Sequence, residues 1–198
     1  AAANTITPIS SDRSVSATVT SVCEGTTAQT MTGLLFDPWQ TMVDESQECA
    51  DTFVRGAAIQ QSQLYPSGVY GYGVSFSEGY GPEGVSADVD SFFEVNFDVD
   101  VPARYQIWAY LETSGGIPGH AETHVLFTRD GEAPLFDETM VSNGGPYELT
   151  EYLGLAGLVE PGPHTARGYA RITQPAPLTD VPQGTFWFTI FVAIDRMG

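Results

Sequence analysis

The chain has 198 residues, 42% hydrophobic and 12% aromatic, enough to bury the core of one good-sized domain and inconsistent with global disorder. Acids number 25 against seven bases, all arginine, for a net charge of −18. A surface this negative disfavours nucleic acid and anionic lipid and suits Ca2+ or neutral partners such as glycans, and no apolar run approaches the roughly 18 residues a membrane span needs.

The opening AAANTITP has neither a basic stretch nor a long apolar run. It reads as a mature N-terminus from which a targeting segment has been removed, or as an engineered boundary. Period-two alternation then dominates, and helical periodicity is scarce. The predicted strands are Ser14–Val22, Thr52–Ile59, Val69–Ser77, Phe92–Val101, Arg104–Glu112, Ala121–Arg129, Pro134–Thr139, His164–Thr173 and Thr185–Ile194. Gly/Pro punctuation separates them, and Asp130-Gly131 is the clearest hairpin signal. This pattern predicts an all-β chain, residues 1–198 forming a single antiparallel β-sandwich of jelly-roll type. Two segments are ambiguous: Asp37–Asp51, read as a short helix or Ω-type loop, and Pro146–Leu158.

Cys23 and Cys49 follow no zinc-ligand spacing, and a disulfide closing the loop between them is expected of an exported chain. Such a bridge stabilises by about 3 kcal/mol through the denatured chain.

In Val69–Tyr80, Tyr70, Tyr72, Val74 and Phe76 alternate with Gly71, Gly73, Ser75 and Ser77. The small face predicts tight strand packing or a bulge. Thr185–Ile194 is apolar on both faces, as befits a central strand covered on each side or one whose outer face is capped by a loop.

The stretch Ser91–Glu112 carries the functional expectation. Phe93, Val95, Phe97, Val99, Val101, Tyr105, Ile107, Ala109 and Leu111 form one face. A three-residue connection preserves that parity, and pairing the two strands as a hairpin sets Trp108 and Tyr110 beside Asn96 and Asp98, with Glu112 close by. Indole and phenol faces stack on pyranose rings while amides and carboxylates bond hydroxyls, so a glycan is the expected ligand. On the next strand His120, Glu122 and His124 point outward together, and an antiparallel pairing puts them beside Trp108, Tyr110 and Glu112. That row can be read as a metal site. Its side chains are about 6.5–7 Å apart, so one ion needs a further ligand such as His164. Ca2+ has acidic candidates in Asp88 with Asp90, or in Asp44, Glu45 and Glu48, none at EF-hand spacing. A solvated sheet surface, a carbohydrate platform, and a metal or catalytic site remain the three readings of this face.

Glu94-Val95-Asn96-Phe97-Asp98 resembles the E-x-D-x-E strand of the retaining jelly-roll β-glucanases, with Asn in the middle and Asp for the last Glu. That resemblance implies a polysaccharide-active hydrolase or lyase using Glu94, Asp98, Tyr110 and His124. No G-x-S-x-G or P-loop occurs. The segments HVLFTRDGEAPLFDET, LAGLVEPGPHTARGYARI and GTFWFTIFVAI resemble secreted or surface-anchored bacterial β-sandwich ectodomains of the carbohydrate-binding-module type. This likeness implies an extracellular or cell-surface module that binds glycans or a cell-surface component, holds Ca2+ structurally or spaces other domains. A third expectation is a self-assembling surface or filament subunit, pairing through an edge strand such as Ser14–Val22.

Overall fold

The computed structural model describes residues 6–33, 36–81, 84–115, 119–143, 145–175 and 181–194. Within these residues the regular structure is twelve strands: β1 (Ile6–Ser21), β2 (Gly25–Gly33), β3 (Trp39–Cys49), β4 (Thr52–Tyr65), β5 (Gly68–Tyr80), β6 (Ser86–Val99), β7 (Ala103–Gly115), β8 (His120–Arg129), β9 (Phe136–Ser142), β10 (Gly145–Val159), β11 (Gly162–Pro175) and β12 (Gln183–Ile194). All pairings are antiparallel. The first sheet runs β2-β1-β6-β11-β8-β9 and the second β10-β7-β12-β5-β4-β3.

The order encodes a jelly roll. From β5 onward, most successive strands change sheet, and the last two, β11 and β12, slot between earlier neighbours. The result is β6-β11-β8-β9 facing β5-β12-β7-β10, the double Greek key of eight strands. The first four strands widen it: β1 and β2 continue the first sheet past β6, and β4 and β3 continue the second past β5.

Alternation sends every second side chain inward. Phe93, Phe97 and Phe127 from the first sheet meet Phe186, Phe188, Ile107, Leu111 and Ile190 from the second in one fully buried cluster. Room for these rings comes from glycine. A Cβ on Gly73 would lie 2.3 Å from Phe186 Cε1 and 2.3 Å from Ser91 Oγ, and one on Gly71 would lie 2.7 Å from Phe93 Cδ1. The glycine and serine face of β5 is therefore its core face, in agreement with the tight packing expected there. The tyrosines go outward.

The disulfide joins Cys23, in the β1–β2 turn, to Cys49 at the end of β3. It ties one sheet to the other along one flank.

The structure corrects four expectations and resolves one ambiguity. Asp37–Asp51 is mostly strand β3, and β2 is a strand where none was expected; both are edge strands, β2 exposed on either side and β3 with Val43 and Gln47 buried on its inner side. The ambiguous 146–158 segment lies within β10. Ser14–Val22 falls mainly in β1, which is not an edge because β2 covers it. Asp130-Gly131 makes a turn, with Glu132 N–H bonded to Arg129 O at 3.1 Å, but the β8–β9 connection spans 130–135 and is no two-residue hairpin.

Candidate functional site

The decisive correction concerns β6 and β7. The connection between them is three residues long, as parity required, but it crosses from one sheet to the other. Both strands turn their apolar sides to one interior, so their polar sides look in opposite directions. Trp108, Tyr110 and Glu112 therefore lie on the outer face of the second sheet, and Glu94, Asn96 and Asp98 on the outer face of the first. His120, Glu122 and His124, on β8, also belong to the first sheet. Neither the hairpin surface nor the His-Glu-His row beside Trp108 exists as expected, and the set Glu94, Asp98, Tyr110 and His124 is divided between the two faces.

The outer face of the first sheet is a mesh of polar pairs. Arg167 Nε donates to Glu94 at 2.7 Å and Arg171 Nε to Asp90 at 3.1 Å. Thr165 donates to Asn96 Oδ1 at 2.6 Å, and Asn96 Nδ2 to Ser10 at 2.9 Å. His124 Nε2 sits 2.8 Å from Asp137, and His120 Nδ1 2.7 Å from Asn143 Oδ1. Tyr169 donates to Glu122, which holds that carboxyl below its ordinary range; burial first, then this bond, pushes the phenol up to about 12. Burial outweighs Arg171 at Asp90 and raises its carboxyl. Asp88 and Asp90 line a groove of about 250 Å³ with Ser16, Thr18, Arg171 and Thr173. Among the described residues, no three His, Cys, Asp or Glu side chains stand close enough to hold one metal ion. His164, the proposed extra ligand, is fully buried between Phe97 and Phe127.

The outer face of the second sheet is aromatic. Register brings its side chains into rows across the strands. Gly154, Trp108, Thr189, Tyr70 and Gln63 form one row, on β10, β7, β12, β5 and β4 in turn. Tyr110, Trp187, Tyr72 and Gln61 form the next, and Gln106 and Phe191 flank the first on its other side. Thr189 thus has six aromatic neighbours: Trp108 and Tyr70 directly across, Trp187 and Phe191 along its own strand, Tyr110 and Tyr72 on the diagonals. The shortest side chain of the group stands at the centre, so it forms a floor between taller rings and presents a hydroxyl there. Trp108 is 50% and Phe191 52% exposed.

Polar groups edge this face. Tyr110 donates to Glu112 at 2.7 Å. Burial raises Tyr70 and Tyr72, with Tyr72 and Tyr65 adding at the first and Glu112 at the second. Both phenols accordingly stay protonated and neutral at neutral pH. Arg55 lies further along, bound to Asp44 at 2.7 Å and Glu78 at 2.9 Å, with its guanidinium 5.2 Å from the Phe76 ring centre.

Of the five residues expected to bind ligand, Trp108, Tyr110 and Glu112 share this face; Asn96 and Asp98 do not. Tyr70, Tyr72, Trp187, Thr189 and Phe191 were not singled out as site residues. Their signal was the double-sided apolarity of Thr185–Ile194 and the tyrosine row opposite the glycines of β5, each of which reads equally as buried packing until the sheet order is known.

No known protein family matches the chain, and no curated protein does. Solved structures match it at low similarity. A carbohydrate-binding module, TmCBM61, in complex with beta-1,4-galactotriose is 13% identical over 56% of this chain and 72% of that one, with a TM-score of 0.30. The infectious bursal disease virus Gx strain structure is 11% identical, covering 96% of this chain and 58% of the viral one, with a TM-score of 0.29. The subviral particle of that virus's VP2 is 10% identical over 96% and 57%, with a TM-score of 0.25.

Proposed function

We propose that the protein is an extracellular, non-catalytic binding module whose ligand is a glycan held on the outer face of β7, β12 and β5. The observation that carries this reading is the ring of six aromatic side chains around Thr189, with Trp108 half exposed. Flat aromatic faces left in water favour ligands with flat apolar faces, and pyranose rings have these together with hydroxyls at their edges. Gln61, Gln63, Gln106 and Glu112 supply hydrogen-bond partners around the rings. The disulfide agrees with an oxidising, extracellular setting, and among the described residues no helix is long and apolar enough to cross a membrane.

A glycan array probed with the wild-type protein and with a Trp108→Ala/Tyr110→Ala double variant tests the reading. Wild type is expected to bind at least one array component and the variant to lose it, with far-UV circular dichroism unchanged. An array without hits, or a variant that binds as well as wild type, refutes the proposal.

A further inference from the structure

We infer that the ligand is an uncharged, extended glycan chain that crosses the strands along the Trp108–Thr189–Tyr70 row and leaves the platform over Gly154; this rests on the glycan reading above. Three observations converge on it. Trp108 and Tyr70 stand on strands two apart, about 9.5 Å in the plane of the sheet. That separation is close to two pyranose units of an extended chain, so the two rings suit every second unit of it. Next, the row is open at its β10 end. Gly154 is the residue opposite Trp108, it is exposed, and a Cβ built on it meets nothing within 4 Å. At the other end the row runs into Gln63. A chain bound over the rings can therefore continue past Trp108 without meeting a side chain at 154.

Charge selects among glycans. Glu112 faces the row's upper neighbour and accepts the Tyr110 hydroxyl. Of the arginines on this face Arg104 stands nearer the row, at the start of β7 two residues from Gln106, and Arg55, eight residues along β4 from Gln63, is committed to Asp44 and Glu78. With a net charge of −18 behind it, the face repels uronate or sulfate chains and leaves neutral ones unopposed.

Titration calorimetry with neutral β-1,4-linked gluco- and galacto-oligosaccharides, from the disaccharide to the hexasaccharide, tests this alongside matched oligouronates. The proteins are wild type, Gly154→Leu and Gly154→Ala. In wild type, affinity for at least one neutral series is expected to rise with chain length. Gly154→Leu should cut hexasaccharide affinity by about tenfold and leave disaccharide affinity within about twofold, with Gly154→Ala close to wild type. Affinity that does not grow with length, or a Gly154→Leu protein that binds the hexasaccharide like wild type, overturns the path over Gly154. Oligouronates that bind as tightly as neutral chains overturn the charge selection, with glycan binding itself intact. Binding to no glycan of any kind overturns the underlying reading as well.

Discussion

Placing an alanine at Gly73 tests the core described here. The added Cβ would sit 2.3 Å from Phe186 Cε1 and 2.3 Å from Ser91 Oγ, whereas carbon atoms rest about 3.5–4.0 Å apart. More than an ångström must be found. Phe186 is fully buried and stacks on Phe188 at 6.3 Å, and Phe188 stacks on Phe93 at 5.8 Å, so displacement of one ring is passed to the others in a close-packed interior. Ser91 is tied as well, donating to Ile59 O at 2.9 Å. Overpacking of this kind costs about 1–3 kcal/mol, and the strain here points to the upper half. Alanine recovers about 0.4–1 kcal/mol by narrowing the unfolded ensemble. The net expectation is a loss of about 2 kcal/mol, or about 4–8 °C in Tm for a chain of this length. Urea unfolding with the disulfide intact, followed by circular dichroism, measures it. Gly154→Ala is the control: its Cβ meets open space, so it should be neutral or slightly stabilising. Adding Phe186→Leu to Gly73→Ala should cost less than the two single changes summed. If Gly73→Ala unfolds at the wild-type midpoint, or if Gly73 and Gly154 respond alike, the packing argument is wrong.

Two further outcomes follow from particular groups. Removing the bridge by Cys23→Ala/Cys49→Ala should lower stability by about 3 kcal/mol, seen as a lower urea midpoint. His164 donates from Nδ1 to Gly162 O at 2.8 Å, its Nε2 is buried without a partner among the described residues, and burial depresses its pKa below 6.5. The unfolded chain therefore takes up a proton near pH 6.5 that the folded chain refuses, and stability falls as the pH drops from 6.5 toward the folded value. Urea midpoints on either side of pH 6.5 should show this for wild type and a shallower dependence for His164→Phe; equal dependence in both would rule it out.

Alternation in β6 and β7 was enough to identify which residues of the two strands are buried; of the inward residues predicted for that stretch Val101 alone is not, because it falls in the connection between the sheets and is 38% exposed. It could not say where the second strand goes. A hairpin and an arch between two sheets place the same residues in the same core, and only long-range pairing, here β6 with β1 and β11 and β7 with β10 and β12, tells them apart. That ambiguity left Trp108 and Tyr110 on the right kind of surface with the wrong companions. β2 was missed for a different reason: in GTTAQTMTG neither face is apolar enough to show a period, because an edge strand gains its order from its neighbour's backbone more than from burial. Thr189 and its six aromatic neighbours come from three strands far apart in sequence, and no local pattern could have assembled them.

The covalent bond between the β1–β2 turn and the end of β3 makes the sandwich resemble a bound book. Its spine is Cys23–Cys49; β9 and β10 form the fore-edge, where the short main-chain connection from Ser142 to Gly145 crosses from one sheet to the other. β10, which carries Gly154, is therefore tied to the facing sheet by its own backbone at its start, so parting the two sheets at either margin works against a covalent link.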